Sequence, residues 1–148
     1  MKNKKYIAIL LIISSLVLAG CTKGADYNSY HKEVNNLYEK IVTTDAKLNN
    51  IDVDSENAVN DLFLSLDALK VSFEEFSKIT PPEEFKDCQF LSENAAKYLS
   101  ISEDKFHEAF DGEYNDASFQ EGISNYNNMI QCINYMGNVL EQKDTIQN

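Results

Sequence analysis

Along most of this chain apolar residues recur at alternating steps of three and four, the spacing that gathers one stripe on an α-helix. Tyr30, Val34, Leu37, Ile41, Thr44 and Leu48 form the first stripe and predict a helix over about 26–49. Asn49 to Asp54 break the pattern, leaving Asp52 or Asp54 to cap the next helix. Val59, Leu62, Leu66, Leu69, Phe73 and Phe76 form a second stripe, widened by Phe63.

Thr80-Pro81-Pro82-Glu83 is the clearest punctuation, because two prolines cannot continue a helix yet suit its first turn. Either Thr80 caps with Glu83 closing a capping box, or Pro81 stays extended and Pro82 begins the helix. Phe85, Cys88, Leu91, Ala95, Leu99, Phe106 and Phe110 then share a side until Asp111-Gly112, where glycine suits a left-handed helix end. Asn115 or Asp116 caps a fourth helix, whose stripe is Phe119, Ile123, Tyr126, Ile130, Ile133, Gly137 and Leu140, flanked by Met129 and Met136. Four helices of about 23 to 30 residues on short loops predict an all-α, antiparallel up-down four-helix bundle over 27–148. A three-helix arrangement, with the first helix swung out or paired with another protomer, is the alternative.

The amino terminus has a different pattern. Lys2, Lys4 and Lys5 precede an apolar run from Tyr6 through Ala19, the layout of a secretory signal peptide. The run falls short of the ~20 predominantly apolar residues that span a bilayer. It ends in Leu18-Ala19-Gly20-Cys21, which resembles the lipobox of bacterial lipoproteins. In that family the cysteine thiol receives a diacylglycerol and the signal peptide is removed just before it. The resemblance implies a leader over 1–20, cleavage between Gly20 and Cys21, and a lipidated Cys21 opening a tether over 21–26. Two acyl chains, at ~0.8 kcal/mol per buried methylene, anchor stably where one holds only marginally. About five tether residues reach at most ~17 Å, so the bundle is expected to stand close to the membrane. Thr22 after the cysteine lacks the acidic inner-membrane retention signal of Gram-negative cells. Abundant Asn, Lys and Ile with no Arg point to an AT-rich, Gram-positive genome. As a whole the chain resembles the small helical-bundle lipoproteins of Gram-positive bacteria, a likeness of layout that carries no further site residues.

Charge then narrows the partners. Without the leader, 10 lysines face 24 acids, so the formal charge moves from −11 to −14. Such a surface repels nucleic acid and anionic headgroups. No Arg means no bidentate fork for phosphate, and no Trp removes a common interface anchor and a sugar-stacking ring.

Candidate chemistry is sparse. Cys88 and Cys132 are the cysteines left beside Cys21, and an even pair in an exported chain suggests a disulfide. An antiparallel turn near 113 or 114 instead sets residue 88 opposite 139. Cys132 then lies about 10 Å away along the axis, beyond the ~4.4–6.8 Å between bridged α-carbons, which favours two separate thiols. Asp104 and His107 sit one helical turn apart, but the acids fall off the apolar stripes and His31 has no evident partner, so no metal site is expected. Asp52 to Glu56 resembles a calcium loop only until Asn57 and Phe63 replace its glycine and glutamate. No nucleophile elbow or phosphate loop appears, so no catalysis and no cofactor are expected.

The aromatic and methionine positions Tyr27, Tyr30, Tyr38, Tyr98, Tyr126, Met129, Tyr135 and Met136 fit the bundle core first, and partner anchors or a ligand pocket second. The leading expectation is a non-enzymatic lipoprotein, lipid-anchored on the extracytoplasmic face of the cell membrane, that binds another envelope or extracellular protein. It calls for an exposed patch of aromatic and apolar residues. The alternative is a carrier or sensor of a small apolar ligand, with a cavity lined by residues such as Leu66, Phe73, Leu99, Tyr126 and Met129.

Overall fold

The computed structural model describes residues 25–146, with side chains over 27–142; Gly20 and Cys21 lie outside the described residues. Four helices follow one another: α1 (Ala25–Asn49), α2 (Ala58–Phe76), α3 (Lys86–Phe110) and α4 (Asp116–Ile146). They form the all-α antiparallel bundle that the stripes predict. Ion pairs between neighbours mark the register: Lys40–Glu75 at 2.9 Å, Lys70–Glu103 at 2.8 Å and Lys105–Glu121 at 3.1 Å. Pairs at least one partner of which stays in solvent, as in all three, contribute little stability. The core does the holding, with Leu62, Leu66, Leu69, Ala95, Leu99, Tyr126 and Leu140 at most 1% exposed. Aromatic clusters close both ends, Tyr27 and Tyr30 against Phe85 at one and Phe106, Phe110 and Tyr114 around Phe119 at the other.

The helix ends depart from the sequence reading in instructive ways. At 19 residues α2 is shorter than predicted, because the acids before it hold turns. The Asp54 N–H donates to Asp52 Oδ1 at 3.0 Å and the Asn57 N–H to Ser55 Oγ at 3.1 Å. Side chains spent on such local bonds offer the backbone an alternative to helix, and neither Asp52 nor Asp54 caps α2; Asn57 occupies that position without a side-chain bond. Pro82 is extended at ψ 156°, and a 3-10 turn, Glu83–Phe85, leads into α3. Helix therefore begins one residue beyond the second proline, with no side-chain cap from Thr80. Gly112 stays out of the left-handed region expected of it. The turn closes instead through the Asp111 N–H to His107 O at 2.9 Å and the Asn115 N–H to Ala109 O at 3.1 Å. Asn115 caps α4 as predicted, its Oδ1 accepting the Ser118 N–H at 3.2 Å.

α3 and α4 pack most closely of the helix pairs. Gly122 permits it: a β-carbon there would stand 2.8 Å from the Phe106 ring. Ser102 Oγ donates to Gly122 O at 2.8 Å across the same contact. Met129 and Met136, predicted to flank the stripe, are fully buried. No helix among the described residues is long and apolar enough to cross a membrane.

Candidate interaction surface

The longest uncharged run of the chain is residues 122–140, nineteen positions without Asp, Glu, Lys, Arg or His in a protein of 24 acids. It forms most of α4. Its inward side chains build core, so the lack of charge matters on the other side. Ser118 and Glu121 meet α3 through Glu108 and Lys105, and steps of three and four carry that flank on to Cys132, Tyr135 and Val139. On α3 the same steps run back from Glu108 and Lys105 to Ile101, Tyr98, Asn94 and Phe90.

These two flanks face each other along the outer α3–α4 groove. The Lys105–Glu121 and Glu108–Ser118 contacts set facing positions whose numbers add to about 226, which places Phe90 beside Tyr135. Phe90 is 67% exposed and Tyr135 59%. Asn94 donates its amide to Phe90 O and Asn125 to Glu121 O, so these polar neighbours are turned back onto their own helices. The result is an aromatic and aliphatic strip of Phe90, Tyr98, Ile101, Cys132, Tyr135 and Val139, half-buried except for its two protruding rings. Interface centres are depleted of charge and enriched in aromatics in this way. Burying the exposed part of Phe90 leaves ~1–2 kcal/mol available to a partner.

The other candidate residues have structural roles. Of the eight aromatic and methionine positions, Tyr27, Tyr30, Tyr126, Met129 and Met136 are core, Tyr38 and Tyr98 are half-buried, and Tyr135 is exposed. Leu66, Phe73, Leu99, Tyr126 and Met129 are all buried. Phe73 and Leu99 also floor an open groove of about 200 Å³ between α2 and α3. His31 Nδ1 pairs with the Asn35 amide at 3.2 Å, and burial lowers its pKa. His107 pairs with Asp111 at 3.1 Å, not with Asp104, and stacks on Phe63 at 4.0 Å. No group of three metal-ligating side chains converges among the described residues.

Both cysteines are free, Cys88 buried and Cys132 half-buried. Burial pushes the Cys88 thiol up to about 11 and raises Cys132 too, which makes both poor nucleophiles. Phe90 was missed by the stripe analysis because it lies off the stripe. The signal that could have found it is the charge-free run on the facing helix.

No protein-family model matches this chain, and neither a curated protein nor a solved structure matches it.

Proposed function

We propose that this is a non-enzymatic lipoprotein, anchored through Cys21 on the extracytoplasmic face of the cell membrane, that binds another envelope or extracellular protein with the outer face of α3 and α4. The observation that carries the reading is the pair of protruding rings, Phe90 and Tyr135, along a strip whose α4 side has no charge over 122–140 in an otherwise acidic protein. The −14 field of the mature chain favours a partner of net positive charge, steering its approach, while the neutral strip takes the apolar contact. The lipobox supports the address, since a leader and acceptor cysteine in that order export and anchor a chain.

The test is photo-crosslinking on intact cells from positions 90 and 135, with positions 64 and 71 as controls. Leu64 and Val71 are also exposed, at 59% and 52%, but lie on α2. One shared adduct from 90 and 135, absent from 64 and 71, is expected; no adduct, or the same adduct from all four, overturns the reading. Replacing Cys21 by Ser separately tests the anchor, by loss of fatty-acid label and of membrane association.

A second reading follows from the α2–α3 groove. Its apolar floor of Phe73, Ala96 and Leu99 suits a small apolar ligand. Native mass spectrometry of the exported mature chain distinguishes the two: a retained small molecule favours the carrier, and a bare chain the protein-binding face.

A further inference from the structure

The two protruding rings stand at one end of the bundle, the end at which α1 begins. Phe85 sets the level: its ring centre lies 5.2 Å from that of Tyr27 and 5.8 Å from that of Tyr30, so α3 starts beside the start of α1. Phe90 is five residues further on, about 8 Å along the bundle axis at ~1.5 Å per residue. Tyr135 faces it in the α3–α4 register. Ahead of α1, about five residues reach back to Cys21, at most ~17 Å. An anchor at Cys21 therefore holds both rings within roughly 30 Å of the bilayer surface, whereas α1 itself rises ~37 Å from its start to its far end.

Charge separates the same two ends. Phe63 of α2 stacks on His107 of α3 at 4.0 Å, which brings the α1–α2 and α3–α4 connections together at the end away from Phe90. Residues 45–61 and 103–121 around those connections hold 12 acids against Lys47 and Lys105, so that end carries −10 of the −14 of the mature chain. An anionic bilayer repels the acidic end most and turns it outward, which leaves the strip on the low side.

We propose that the partner of the strip is an integral protein of the same membrane, gripped on its extracytoplasmic surface close above the bilayer. This rests on the anchor and the binding face proposed above, and it names the class of partner. A dissolved protein is met most readily by a face held far out from the membrane; a face held low meets surfaces that are themselves embedded. Confinement of both partners to one thin layer raises their effective concentration, so two rings on a half-buried strip suffice for contact.

The test is photo-crosslinking from positions 90 and 135 on intact cells, with spacers inserted between Gly24 and Ala25 and all forms compared at equal fatty-acid label. A helical spacer of about 30 residues lifts the bundle by ~45 Å, while a Gly/Ser spacer of the same length lets it return to the membrane. The adduct is expected to fall about tenfold with the helical spacer and no more than about threefold with the Gly/Ser spacer. The captured chain is expected to carry a membrane-spanning segment. An undiminished adduct with the helical spacer, equal losses with both spacers, or capture of a secreted protein or of a second copy of this chain overturns the proposal and leaves the binding face standing. No adduct with the natural tether overturns both.

Discussion

α4 is held on two sides by opposite means. Toward α3 it presents Gly122 and Ser118 and comes so close that a β-carbon on Gly122 would stand 2.8 Å from the Phe106 ring, and both buried hydroxyls of that contact find partners, Ser102 donating to Gly122 O and Ser118 to Glu108. Further along it buries Tyr126, whose hydroxyl has no hydrogen-bond partner among the described residues and whose pKa is pushed up by burial first and then by the charge of Asp45 on α1. Small residues let backbones approach and leave few polar atoms to satisfy, while large amphipathic ones hold helices apart and must find partners for their tips. One helix thus carries a tight, satisfied contact at Gly122 and, one turn on, a buried hydroxyl left unsatisfied at Tyr126.

The strongest way to break this contrast is to put a methyl group into the tight seam. Gly122→Ala gains ~1 kcal/mol of helix propensity but drives a β-carbon into the Phe106 ring, which is fully buried and tilted against Phe119 at 5.6 Å. Overpacking at ~1–3 kcal/mol outweighs the propensity gain, so a net loss of up to about 2 kcal/mol is expected in chemical denaturation. A stabilised variant would show that the α3–α4 contact yields and is not a fixed constraint.

Removing one hydroxyl from each seam should give opposite signs. Ser102→Ala deletes a made bond in a dry contact and is expected to cost about 1 kcal/mol. Tyr126→Phe deletes a buried hydroxyl with no partner among the described residues and is expected to stabilise by up to ~1 kcal/mol. Thermal melts of both variants check the pair. A loss of stability in Tyr126→Phe would mean that its hydroxyl is satisfied, by an ordered water, and that the two seams differ less than their geometry indicates.

The sequence carried much of this, because periodicity records which side of a helix is buried. The four stripes, the Asn115 cap and the break at the double proline are all where the residues place them. What it hid were interactions between stripes. Nothing in the periodicity of Gly122 tells that a ring from α3 occupies its missing side chain, and nothing about Asp45, one step off the first stripe, tells that it is buried. Met129 and Met136, read as flanking the stripe and fitting the core first, are fully buried. The candidate surface was legible in part: Tyr135 stood among the aromatics considered, whereas Phe90 needed the α3–α4 register to become its neighbour.

Gly137 sharpens the comparison from the other direction. It is the second glycine of α4 and lies on the predicted apolar stripe, fifteen residues beyond Gly122. A β-carbon there would meet nothing within 4 Å, and its backbone is outside the left-handed region. Close approach therefore does not require this glycine, which only leaves the unfolded chain more freedom to lose. Gly137→Ala is expected to stabilise by about 0.5–1 kcal/mol, the ordinary gain for a helix interior with space for the methyl group. Set against Gly122→Ala, the same substitution on the same helix changes sign within four turns. If both alanines stabilise, the small residues of α4 owe nothing to packing; if both destabilise, the tight seam extends further along the helix than the Phe106 contact.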